Sequence, residues 1–122
     1  MGSHPINLGL RFFLELAALA SYGYWGWSVS SGWVRYLLVI ALPILAALVW
    51  GIYAVPDDPS RSGKAPVPVP GPVRLVLELL IFGLAGWALF SSKAFNPGLV
   101  FSVLVIFHYL FSFDRIKWLF SK

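Results

Sequence analysis

Two stretches repeat one arrangement of charge in an otherwise apolar setting: Arg11-x-x-x-Glu15-Leu16 and, 63 positions later, Arg74-x-x-x-Glu78-Leu79. Residues four apart on a helix share a face one turn apart, so each Arg and Glu can bridge within its own helix. A charge at the centre of a membrane helix costs about 2.5–3.5 kcal/mol, so four unpaired ones would cost on the order of 10 kcal/mol. The four should therefore face inward and pair. His108, with Tyr109 beside it, is expected at a similar depth, and Asp57 and Asp114 come near the helix ends where they could meet Arg11 and Arg74. Two chemistries fit. Glu15 and Glu78, with His108 nearby, could form a protonatable or cation-binding site, since intramembrane ionisable groups mark such sites. Alternatively, two Arg and two Glu cancel in charge and act as glue that sets the register of the helices.

Other chemistry finds little support. Zinc wants three or four N, S or O ligands. The only histidine besides His108 is His4, within Met1-Gly2-Ser3-His4, which has the look of an expression scar. Neither a metal nor a haem with two His ligands is expected, and no cofactor at all. The absence of Cys removes disulfides, thiolate metal sites and cysteine-based redox chemistry. No nucleophile–base arrangement or phosphate-binding glycine loop occurs, so an enzyme is not expected.

The elements that carry these residues follow from hydropathy. Of 122 residues, 59% are hydrophobic and 11% charged, with mean hydropathy +0.81. A soluble domain carries roughly 25% charged residues. Four apolar runs, 6–27, 33–55, 72–90 and 97–113, each approach the ~20 residues that cross a ~30 Å hydrocarbon layer. Lipid leaves the backbone no water to bond, so the runs must be helices or a closed barrel, and four are too few to close a barrel. The expected fold is all-α: one polytopic domain of four transmembrane helices. Pro43 should kink the second helix, and the small residues Ala17, Ser21, Gly23, Ala47, Gly51, Gly83 and Gly86 should let backbones approach closely.

Orientation follows from the basic residues. Arg11, Arg61, Lys64, Arg74, Arg115, Lys117 and Lys122 fall on the side of the termini and the middle loop, against Arg35 and Lys93 on the other. By the positive-inside rule both termini and the middle loop are cytoplasmic. Singly placed bases of this kind read as topology signals and not as a nucleic-acid patch. Trp25, Trp27, Trp33 and Trp87 fall at the outer interface, and Trp50, Tyr53 and Trp118 at or near the inner one, as anchors in the headgroup belt.

The middle connection, 56–71, is rich in Pro and polar residues and should be an extended, polyproline-like tether. It separates two halves that resemble each other. A shift of 63 lays Leu14, Ala20 and Gly23 on Leu77, Gly83 and Gly86 as well as matching the charged pairs, and a weaker shift of 57 lays Asp57 on Asp114. Both repeats would start on the cytoplasmic side, giving two parallel-repeat hairpins in an up-down-up-down bundle.

Asn7-x-x-x-Arg11-Phe12-x-Leu14-Glu15-Leu16, Gly23-Tyr24-Trp25-Gly26, the Pro-rich connection leading to Val73-Arg74-x-x-x-Glu78, and His108-Tyr109 followed by Asp114-Arg115 together resemble the YrdB-like family of small bacterial membrane proteins. The resemblance covers nearly the whole chain after His4. It implies a bacterial cytoplasmic membrane and, the family being of unknown function, no catalytic or binding residue. The function expected from the residues is a small transporter or channel, with Glu15 or Glu78 alternating between paired and protonated states. The alternative is a non-transporting binding or assembly protein in which the Arg/Glu quartet is structural. The bilayer, a small molecule or ion, and a second copy of the chain are the expected partners.

Overall fold

A computed structural model of the chain describes residues 5–58 and 65–122. The expectations for residues 1–4, and for Pro59, Arg61 and Lys64 of the middle connection, lie outside the described residues. The chain is all-helical: α1 (Pro5–Val29), α2 (Trp33–Ile52), α3 (Gly71–Ser91), α4 (Phe95–Phe111) and α5 (Phe113–Phe120), with a two-residue strand pair, β1 (Tyr53–Ala54) and β2 (Val67–Pro68).

The helix ends differ from expectation at two places. α2 stops at Ile52 because Tyr53 turns extended, with φ −92° and ψ 101°. Tyr53 and Ala54 then pair in parallel with Val67 and Pro68, and Val69 N–H donates to the Ala54 carbonyl at 2.9 Å. The last stretch of the Pro-rich connection is thus extended, and it is held against the end of α2. The second difference is α5, which was not anticipated. Ser112 leaves helical geometry, and the chain resumes as α5 at 67° to α4. The new helix is amphipathic: Arg115 and Leu119 are buried, while Phe113 and Phe120 are exposed.

α2 and α3 are each long and apolar enough to cross a membrane, and α4 with α5 meets the same test as one bent pair. α1 has 25 residues but carries Asn7, Arg11 and Glu15, which lower its hydropathy. Two to three of the four expected spans therefore pass on length and composition. The outer surface agrees with them: Leu37, Ile40, Ile44, Leu45 and Leu48 on α2 and Leu79, Leu80 and Leu84 on α3 are all about half exposed or more. Soluble monomers rarely present continuous apolar surface on this scale.

α1 and α3 lie side by side and run the same way, joined near one end by Arg11 with Glu78 and near the other by Ser28 with Ser92. α2 runs against α1, with Trp50 beside Glu15 and Leu38 beside Gly26. α4 runs against α1 as well, with Ser112 beside Asn7.

Small residues set the α1–α2 spacing. A Cβ at Gly26 would sit 2.9 Å from Leu38 Cβ, and one at Gly23 would sit 3.3 Å from the carbonyl of Val39, the group that Pro43 leaves without its helical donor. Gly86 approaches Ser102 Oγ. Gly51 and Gly83, expected at close approaches, instead border open space. The core is a cluster in which Phe82 touches Trp50 at 5.2 Å and Phe101 and Tyr109 at 6.1 Å each.

Candidate functional site

Glu78 is the centre of the polar cluster. Its side chain is fully buried on α3, and three guanidinium groups converge on its Oε2: Arg11 Nη2 at 2.8 Å, Arg74 Nε at 2.9 Å and Arg115 Nη2 at 2.5 Å. Tyr109 donates its hydroxyl to Oε1 at 2.8 Å. Charge-assisted bonds to a carboxylate are the strong class of hydrogen bond, and here they tie α1, α3, α4 and α5 to one group. Both expected intrahelical bridges are present, Arg74 with Glu78 at 2.9 Å and Arg11 with Glu15 at 3.7 Å, but the carboxylate closest to Arg11 lies across the helices, at Glu78.

Arg115 also grips Asp58 in a fork, with Nη1 at 2.6 Å from Oδ1 and Nη2 at 2.9 Å from Oδ2. Asp58 is buried, whereas Asp57 and Asp114 are exposed. The buried carboxylate at this end is therefore the neighbour of the expected one. Asp57 takes a left-handed conformation, φ 62°, in the turn where the chain leaves β1, and that turn sends the next side chain inward.

Arg74 reaches further, donating to the carbonyls of Trp50 and Tyr53, each at 2.6 Å. Those carbonyls belong to the end of α2, where helix carbonyls lack intrahelical donors, and a cation there also meets the negative end of the helix dipole.

Trp50 is the second organiser. Expected as an interface anchor near the end of the second helix, it instead packs against two cations, with the guanidinium carbons of Arg74 and Arg11 at 4.4 and 5.0 Å from its ring centroid. Its Nε1–H donates to Glu15 Oε1 at 2.7 Å. Glu15 has a much looser setting than Glu78. Arg11 Nε is 3.7 Å away and the carboxylate side chain is 24% exposed. It borders a cavity of about 140 Å³ between α1, α2 and α3.

His108 extends the cluster along α4. Arg11 Nη1 lies 3.4 Å from His108 Nε2, and His108 Nδ1 lies 3.0 Å from Asn7 Oδ1. A guanidinium can only donate, so Nε2 is the acceptor and Nδ1 carries the proton. The imidazole is thus a neutral relay from Arg11 to Asn7, whose amide donates in turn to Ser112 Oγ at the α4–α5 break.

All six expected site residues, Arg11, Glu15, Arg74, Glu78, His108 and Tyr109, come together in one connected network. Sequence reasoning missed Asn7, Trp50, Asp58 and Arg115. Asn7 had a signal, since it stands four residues before Arg11 and shares its helix face. Among the described residues no group of three or more His, Cys, Asp or Glu could hold a metal ion.

The arrangement balances three guanidinium groups against three carboxylates. Glu78 and Asp58 are saturated and buried, which makes them fixed charges. Glu15, held by one neutral donor and one longer ionic contact, is the carboxylate that can change partner or protonation at least cost.

The family model described as "Protein of unknown function (DUF2568)" matches residues 9–106. The chain is also 48% identical over 116 residues, covering 95% of its own length and 94% of the other, to a Bacillus subtilis (strain 168) protein named "Uncharacterized protein YrdB". The chain belongs to this YrdB-like family of unknown function. No solved structure matches it.

Proposed function

We propose that the protein is a small transporter of the bacterial cytoplasmic membrane in which Glu15 is the exchanging carboxylate and the Glu78 cluster is the rigid frame. In this reading α1 to α4 all cross the bilayer as an up-down-up-down bundle of two parallel-repeat hairpins. Both termini and the Pro-rich connection are cytoplasmic, and α5 lies along the inner surface. The observation that carries the proposal is the unequal treatment of two glutamates at matching places in the repeat: Glu78 receives four hydrogen bonds, while Glu15 receives one and faces a cavity. A carboxylate in a low-dielectric setting with little compensation is a group that trades its charge for a proton or a cation. Four helices are a thin wall, and α2 buries no residue, so a second copy of the chain on the α2 side is part of the proposal.

The test is proton uptake and thermal stability of detergent-solubilised protein from pH 5 to 9, for wild type, Glu15→Gln and Glu78→Gln. The expected result is uptake that disappears in Glu15→Gln with its melting temperature kept, and a large drop in melting temperature for Glu78→Gln. The second reading, a non-transporting binding or assembly protein, is favoured by the way Glu78 cross-links four helices and closes this end of the bundle. It wins if no group titrates and both variants melt far below wild type.

A further inference from the structure

The cavity beside Glu15 has a composition that selects one class of ligand. It measures about 140 Å³, and its wall is Phe12, Trp50, Phe82, Ala46, Ala47 and neighbouring aliphatic side chains, with Glu15 its only carboxylate. Glu15 Oε1 is taken by Trp50 Nε1 and lies 3.7 Å from Arg11 Nε. No described residue donates a hydrogen bond to Oε2. Arg11 on its own helix and Arg74 and Glu78 on α3 are the charged groups that act on this carboxylate, and the two guanidinium groups lie by the Trp50 ring; the remaining carboxylate oxygen, at an apolar, aromatic-lined void, is left to attract positive charge and offers almost no other polar contact.

That combination discriminates among cations. Calcium takes six to eight oxygen ligands and magnesium holds a near-octahedral set with its waters, and a single carboxylate in an apolar wall cannot replace such a shell. An organic ammonium ion is weakly hydrated, covers its charge with methyl or methylene groups, and gains from aromatic surface. Size points the same way, since a cavity of about 150 Å³ accommodates one benzene. Resting on the reading of Glu15 as the exchanging carboxylate, we propose that this cavity is a binding site for a small organic monocation, a quaternary or protonated alkylammonium about the size of tetramethylammonium. Binding releases the proton held by Glu15, so that the ammonium and the proton compete for one carboxylate.

The experiment adds tetramethylammonium chloride to weakly buffered, detergent-solubilised full-length protein, held at the pH where the Glu15-dependent uptake is half complete, and follows proton release with an indicator dye. Sodium chloride at the same concentration is the reference. About half a proton per chain should be released by saturating tetramethylammonium and none by sodium. Glu15→Gln should abolish the release, and Ala46→Leu, which fills the cavity, should weaken the apparent affinity at least tenfold. If Glu15→Gln does not fold, Glu15→Asp takes its place and should shift the affinity by withdrawing the carboxylate from the cavity. Release no larger than with sodium, or an unchanged affinity in Ala46→Leu, overturns the proposal. Glu15-dependent uptake without cation-driven release leaves the exchange reading standing and removes this one; absent uptake removes both.

Discussion

Arg115 Nη2 lies 2.5 Å from Glu78 Oε2, although the two residues are 37 positions apart and sit on helices of different character. Arg115 belongs to the amphipathic α5, and Glu78 to the middle of an apolar helix that is long enough to cross a membrane. The bend at Ser112 makes the contact geometrically available, because a straight continuation of α4 would carry Arg115 away from the cluster. The same guanidinium holds Asp58 at the end of the α2 hairpin. One side chain thus fastens the terminal helix, the middle connection and α3 to each other.

Replacing Glu78 by Gln should be the most damaging single change in the protein. It leaves three buried guanidinium groups facing a neutral amide, and breaking a buried ion pair by removing one partner costs about 3–5 kcal/mol. Chemical denaturation in detergent should show a loss of that size, whereas Glu15→Gln should cost under about 1 kcal/mol, since the Glu15 contacts are fewer and partly exposed. Equal losses in the two variants would contradict the division of labour between them.

Asp58 and Arg115 should be energetically coupled. Residues sharing one buried network show interaction energies of about 0.5–3 kcal/mol, and this pair is a bidentate fork with both side chains buried. A double-mutant cycle with Asp58→Asn and Arg115→Gln should fall short of additivity by an amount in the upper half of that range. The parallel cycle with the exposed Asp57 and Arg115 should be additive.

Gly71, the first residue of α3, should not tolerate a side chain. A Cβ built there overlaps the backbone carbonyl of Leu119 on α5, and backbone cannot rotate out of the way as a side chain can. Gly71→Ala should therefore displace α5, at a cost of about 1–3 kcal/mol typical of overpacking. Faster amide exchange or proteolysis at 113–120, with α1 to α3 unaffected, is the expected readout.

At the opposite end, Gly26→Val should part α1 from α2. The Cβ alone meets Leu38 Cβ at 2.9 Å and Leu42 Cδ1 at 3.0 Å, and the branched methyls add to the clash. Destabilisation of about 1–3 kcal/mol is expected, while Gly83→Ala, which points into open space, should be neutral. The pair separates close helix approach from a general intolerance of larger residues.

The Arg-x-x-x-Glu spacing identified Arg11, Glu15, Arg74 and Glu78 as side chains that must be satisfied away from lipid, because the cost of leaving them unpaired is set by the solvent and not by the fold. His108 and Tyr109 are expected at a depth similar to that of Glu15 from rise per residue alone, and their side chains meet Arg11 and Glu78. The choice between Asp57 and Asp58 could not be read in advance. Adjacent residues in a turn point to different sides according to a local backbone conformation, here the left-handed one at Asp57. Arg115 looked like one more topology charge, since nothing local announces a bend that returns it to the core.

The all-helical class, the apolar exterior and the set of charges that must find partners were determined by the sequence itself, because hydropathy and helical periodicity are properties of single segments. The inequality of the two glutamates was decided only in the tertiary structure. By the repeat, Glu15 and Glu78 are equivalent. Which of them collects three guanidinium groups and which is left with Trp50 and a cavity depends on what α2, α4 and α5 bring alongside, and pairing across helices is a property of their packing, not of any one of them.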